Sequence, residues 1–293
     1  MNFLKKIIML VPYKLKQSHF VSSFFWMTAI MVTLLFFWML SSIIGDGFQA
    51  LSWEFIFDNP SDSGRSGGIA PILISTVLIL LICSLTTLPL AIATAFLIAE
   101  FIPENHFFSI IIKRSLDILA SIPSIVYGLF GNIVFCKMMG LGFSILSGGL
   151  TLACMILPIL ILTSEQTFRS ISKAHRQGSE ALALSKFTTL FQVYLPCAIP
   201  ALTAGFILGL GRATAETAAL IFTSGYVDRM PDSVMDSGRA LSIHIYDLTM
   251  NVPGGSNNAY GTALLMIIIL LITNSSINWL TQRWNHNLTA QND

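Results

Sequence analysis

Charge is what this sequence has least of. Asp, Glu, Lys and Arg together make up 11% of its 293 residues, against 54% hydrophobic residues and a mean hydropathy of +0.74. A soluble domain carries about 25% charged residues, so the shortage excludes a water-soluble chain and leaves an integral membrane protein. A net charge of +1 gives no ground for a nucleic-acid partner. Catalytic signatures are missing as well: there is no Gly-x-x-x-x-Gly-Lys-Ser/Thr phosphate loop, no His-Glu-x-x-His and no Gly-x-Ser-x-Gly. Enzymatic chemistry by this chain therefore has no support. Cysteine is sparse, and Cys83, Cys136, Cys154 and Cys197 lie in or beside apolar segments without CxxC spacing. His19, His106, His175, His244 and His286 are scattered, so packing or surface roles are expected and no metal or cofactor is assigned.

Long apolar runs take the place of charge. Windows of about 20 residues, the length a bilayer core requires, fall at 24–44, 69–99, 118–136, 143–163, 196–224 and 260–280. The expected class is all-α, a polytopic membrane protein with about six transmembrane helices. The first window is long enough to span, and no small-x-small cleavage site follows it, so it reads as a retained anchor. Lys5, Lys6, Lys14, Lys16, Lys113, Arg114, Arg169, Lys173, Arg176, Lys186 and Arg283 fall on one side of this topology. Arg65, Lys137, Arg229 and Arg239 fall on the other. The excess of positive charge places both termini in the cytoplasm.

The second window is long, and Pro89 near its end, with Thr86 and Thr87 beside it to satisfy freed backbone groups, predicts a bend. Two connections exceed simple loops, an inner one at 166–195 and an outer one at about 225–259. The outer one holds Asp228, Asp232, Asp236 and Asp247 and reads as a solvated loop.

One polar interruption stands out: Gly209 to Leu220 reads GLGRATAETAAL inside the fifth window. Arg212 and Glu216 each cost about 2.5–3.5 kcal/mol at the centre of a bilayer helix, so neither is expected to face lipid. Spaced by four, they share one helix face and are placed to pair. Two readings stay open at this level, a pair that locks helices together and a site on a transport path. A guanidinium fork suits tetrahedral oxyanions, while a nearby carboxylate tempers affinity or accepts a proton-bearing oxygen, which phosphate offers and sulfate at neutral pH does not.

The inner connection reads HRQGSEALALSKFTTLFQVYLPCAIPAL from His175. Its small and apolar stretch at 181–184, flanked by Arg176 and Lys186, predicts a short helix able to dock in a partner's groove. This segment resembles the coupling loop of importer-type ABC permeases, whose pattern is Glu-Ala-Ala, three residues, Gly, then a later Leu-Pro. Anchored on Leu195-Pro196, the match sets Gln177, Gly178 and Ser179 on the Glu-Ala-Ala positions and Ala183 on the glycine. Gln177 lacks the carboxylate, and alanine disfavours the left-handed backbone that glycine allows. Within that family the chain is similar to the phosphate-specific permease subunits, through ASIPSIVYGLFGN at 120–132, SGGLTLACMILPILILTSEQ at 147–166 and GRATAETAALIFTSG at 211–225. Leu162 departs from the basic residue of many relatives ahead of the Thr-x-Glu that Thr163, Ser164 and Glu165 echo.

The resemblance implies a type-1 ABC importer permease fold in the bacterial inner membrane. It divides the chain into a cytoplasmic N-terminus (1–23), a first anchor (24–44), a periplasmic loop (45–66), the permease domain (67–284) and a cytoplasmic tail (285–293). Arg212, Glu216 and Thr217 would line the substrate path, and Gln177, Gly178, Ser179, Ala181, Leu182, Ala183 and Ser185 would form the ATPase coupling loop. Implied partners are a second permease subunit, a homodimeric ATP-binding subunit that holds ATP and Mg, a periplasmic phosphate-binding protein, phosphate itself and membrane lipid. Permeation of molybdate, sulfate or phosphonate is the alternative; a membrane enzyme or a regulatory scaffold is remote.

Overall fold

A computed structural model describes residues 19–290. The cytoplasmic placement expected for Lys5, Lys6, Lys14 and Lys16, and for the end of the tail at 291–293, lies outside the described residues. The chain divides into two units after Gly45. The first is described as most of helix α1 (His19–Ala50). Every side chain from Phe24 to Met39 is exposed, which is the all-round apolar surface a helix in lipid presents. The Thr28 and Thr33 hydroxyls donate back to the carbonyls of Phe24 and Ala29, at 2.9 and 2.8 Å, so neither polar group is left bare.

The second unit begins with the short helix α2 (Trp53–Phe57), capped by Ser52, and a small antiparallel ladder. In that ladder β1 (Pro60–Ser61) pairs with β2 (Ser66–Gly67), Pro60 opposite Gly67. The long helices α3 (Ala70–Phe101) and α6 (Ile145–Ser170) then pack along each other and hold the main core, with Ile79, Cys83, Leu152, Ile156 and Phe168 buried. Small residues set their approach: a Cβ on Gly149 would lie 2.6 Å from a side-chain atom of Ile82. Helix α3 is continuous through Pro89. The Thr87 hydroxyl donates to the Cys83 carbonyl at 2.7 Å rather than to Leu85, the carbonyl left without an amide partner by the proline.

The expected third span at 118–136 is not one helix. Helix α4 (Phe107–Ser121) stops, and α5 (Ser124–Gly131) starts at an angle of 94° to it, continuing as a wider π-type turn to Met138. The cause is Pro123, which forces Ile122 out of the helical region to φ −64°, ψ 133°. After α6 come α7 (Lys173–Ala181), α8 (Lys186–Thr189), α9 (Leu195–Ala215), α10 (Ala218–Ile221), α11 (Leu241–Met250) and α12 (Ser256–Ala290). Among the described residues, five helices are long and apolar enough to cross a membrane, and the bent α4–α5 pair brings the number to six when it is counted as one span. The outer connection contains α11, which its turn-rich sequence did not suggest.

Candidate functional site

The expected fifth span at 196–224 breaks at the polar interruption. Helix α9 ends at Ala215, Glu216 is extended at φ −76°, ψ 123°, and α10 restarts two residues later. Arg212 and Glu216 therefore do not share a helix face, and no salt bridge joins them among the described residues. The Glu216 carboxylate accepts from the Ala219 amide at 3.4 Å, and its carbonyl accepts from the Ser242 hydroxyl at 2.7 Å. Thr217, half-buried, completes the break. Arg212 is exposed in the last turn of α9, where its charge opposes the negative end of the helix dipole. On α5, the Tyr127 hydroxyl donates to the Leu119 carbonyl at 2.9 Å.

Tertiary packing explains why the chain breaks here. A Cβ on Gly128 of α5 would stand 2.9 Å from the Ala219 Cα, and one on Gly148 of α6 would stand 2.8 Å from the Ser224 Cβ. Only glycines let α10 sit this close to both helices. Asn132 then donates to the Phe222 carbonyl at 2.7 Å and holds the segment in place.

In the inner connection, the short helix expected at 181–184 is displaced: those residues form the turn that ends α7. The Leu184 amide donates to Ser179 O at 3.0 Å and the Ala183 amide to Glu180 O at 2.9 Å, with Ala183 at φ +50°. This pair of bonds is a Schellman closure with alanine at the left-handed position usually given to glycine. Ser185 caps α8 by accepting from the Thr188 amide at 3.1 Å. Gln177, Gly178, Ala181 and Leu182 are exposed, Ser179 is buried, and Leu182 and Phe187 are 73% and 72% exposed.

Two acid clusters that the sequence did not reveal sit where α3 and α6 end. Glu100, on α3, accepts from Lys186 and from Tyr194 at 3.2 Å, with Arg176 at 3.5 Å. Glu165, buried on α6, pairs with Arg169 and with Lys113 at 3.1 Å, and its second oxygen has no partner among the described residues. Arg169 also donates to the carbonyls of Ile98 and Ile102, at 3.1 and 2.9 Å, satisfying the open end of α3. The signal available in the sequence was acidic residues standing at the ends of apolar runs.

The outer connection corrects a further expectation, since three of its aspartates are not merely solvated. Arg239, 8% exposed, meets Asp247 at 3.1 Å and Asp228 at 3.8 Å and donates to the Tyr226 carbonyl at 2.8 Å. Asp236 accepts the amides of Asp232 and Ser233 at 2.8 and 3.0 Å. His244 on α11 is fully buried, with Nδ1 3.4 Å from Arg239 and Nε2 unpartnered among the described residues. Burial, reinforced by the Arg239 charge and opposed by Asp247, lowers its pKa to about 4.

Residues 88–288 match the family described as binding-protein-dependent transport system inner membrane component. A probable ABC transporter permease protein of Bacillus subtilis, YqgI, is 32% identical over 267 residues, covering 86% of this chain and 90% of its own. The phosphate transport system permease protein PstA 2 of Mycobacterium bovis is 27% identical over 252 residues, covering 84% and 82%. A chain from inward-facing crystal structures of the MetNI methionine ABC transporter shares the fold, with a TM-score of 0.55 and 15% identity over 74% of this chain and 94% of that one. With several apolar helices, a broken polar span and no catalytic signature, the chain belongs to the binding-protein-dependent transport system inner membrane component family, as a multi-pass inner-membrane permease subunit of an ABC importer and a transport component rather than an enzyme.

Proposed function

We propose that this permease moves inorganic phosphate inward, past Arg212, Glu216 and Thr217, with energy from ATP hydrolysed on a partner subunit. The observation that carries the proposal is Arg212, a guanidinium exposed on a membrane-spanning helix and without a carboxylate partner among the described residues. Such a charge is stabilised by a polar path and by a passing anion, not by lipid. The break at Glu216 keeps the carboxylate on the Ala219 amide of α10, so it leaves the guanidinium free to fork onto two phosphate oxygens. Phosphate is favoured over other oxyanions by the likeness to the mycobacterial phosphate transport permease.

In this reading both termini, including residues 1–23 and 285–293, are cytoplasmic; 24–44 is an anchor, 45–66 a periplasmic loop and 67–284 the permease domain. The partners are a second permease subunit, a homodimeric ATP-binding subunit that carries ATP and Mg, and a periplasmic phosphate-binding protein. The surface from Gln177 to Ser185 docks on the ATP-binding subunit, because Leu182 is a large exposed apolar side chain at the C-terminal cap of an otherwise polar helix, and Phe187 in the next helix is exposed as well. ATP-dependent uptake of labelled phosphate into vesicles holding the complete complex tests the reading. Competition by unlabelled phosphate alone is expected, whereas displacement by sulfate, molybdate or a phosphonate would assign the path to that anion. Leu182→Asp is expected to abolish ATP-driven uptake by separating the ATP-binding subunit, and unchanged assembly and uptake would remove the docking role.

A further inference from the structure

We infer that Glu100 is a positioning residue that clasps the 173–194 segment to the end of α3, so that movement of that segment is handed to α3 along its whole length. The inference rests on the docking role proposed above. Glu100's side chain is only 6% exposed, yet it gathers groups from three successive pieces of chain: Arg176 of α7 at 3.5 Å, Lys186 of α8, and the Tyr194 hydroxyl at 3.2 Å. Arg176 is itself fixed twice more, donating to the Phe168 carbonyl at 2.9 Å and lying 5.3 Å from the centre of the Tyr194 ring. Helix α7 is otherwise loosely held: Ser179 is its one buried residue among the described side chains, and a Cβ at Gly178 would meet nothing within 4 Å. The carboxylate is thus the main joint between a mostly exposed helix and the core.

The far end of α3 meets the broken span. Thr76 Oγ1 accepts from the Leu241 amide at 2.9 Å, and the neighbouring Ser242 hydroxyl donates to the Glu216 carbonyl at 2.7 Å. Thr76 and Glu100 lie on one continuous helix, about 36 Å apart along its axis. A displacement applied at Arg176 therefore has a contiguous hydrogen-bonded route to the residue where the span breaks. Contiguity alone does not establish coupling, which requires a readout that a merely structural pair would not move.

The test uses the complete complex in vesicles, with this chain carrying Ala215→Cys as its only cysteine. Two quantities are read: phosphate taken up per ATP hydrolysed, and the change in maleimide labelling at position 215 on adding ATP and Mg. Glu100→Gln is expected to lower the uptake ratio about fivefold or more and to erase the nucleotide-dependent labelling change. Lys186→Gln is expected to shift both in the same direction, and Lys186→Arg to retain both. Wild-type values of both quantities in an assembled Glu100→Gln complex would overturn the inference. If that variant does not assemble, Lys186→Gln decides in its place, and a wild-type labelling change there overturns it equally. An unmodified complex that shows the labelling change yet takes up no phosphate would end the substrate reading and leave the clasp standing.

Discussion

The Leu184 amide donates to the Ser179 carbonyl at 3.0 Å, and this bond closes a turn in which Ala183 is held at φ +50°. An L-residue in the left-handed region carries a cost of about 1–2 kcal/mol that glycine escapes. Ala183→Gly is expected to slow hydrogen exchange of the 182–184 amides about fivefold, corresponding to about 1 kcal/mol of local stability, with Ala183→Val speeding it. Equal exchange in all three chains would place the turn elsewhere.

Arg212 and Glu216 are separated by the helix break, so their contributions to transport should be independent. Arg212→Gln removes a charge-assisted fork and is expected to slow phosphate uptake about ten- to hundredfold. Combined with Glu216→Gln, the two losses should add within about 0.5 kcal/mol. A double variant no worse than Arg212→Gln alone would restore the ion pair that the spacing of four suggested.

Gly128 faces Ala219 backbone, which has no side chain to give way. Gly128→Ala is expected to cost about 1–3 kcal/mol in a thermal unfolding series, through overpacking at the helix that follows the break. An unchanged transition would mean that α10 is free to shift.

His244 ties stability to acidity. Its pKa is lowered to about 4 in the folded chain, against an ordinary value near 6.5, so the unfolded state takes up the proton first as the pH falls. Its contribution is intact above about pH 6.5 and is lost progressively down to about pH 4, by about 3 kcal/mol in all. Unfolding midpoints of the purified protein across that window should fall, and His244→Leu should flatten the slope. A slope that survives the substitution would assign the dependence to other groups.

The spans were legible because membrane helices are written as apolar runs, and α3, α6 and α12 cover the windows that predicted them. The break at Glu216 was not, because Arg-Ala-Thr-Ala-Glu is unremarkable helix sequence. What interrupts it is the approach of Gly128 and Gly148 and the Ser242 bond, partners remote in the chain. The clusters around Glu100 and Arg239 were hidden for the same reason: each acid looked local, and its cations come from other elements. Pro123 is in plain view in the sequence, but the 94° turn it makes depends on Ile122 leaving the helical region, which the apolar run does not reveal. At Ala183 the backbone takes the left-handed conformation that glycine favours, which an alanine in the sequence does not announce.

The corner at Pro123 has a consequence for topology. Helix α4 begins beside the end of α3, where Lys113 reaches Glu165 near the end of α6, whereas residues 132–138 lead to the opposite end, where α6 starts. The two arms of the right-angled pair thus run from near one end of α6 toward the other. A single proline thus turns the chain through 94° on its way from the end of α3 to the start of α6.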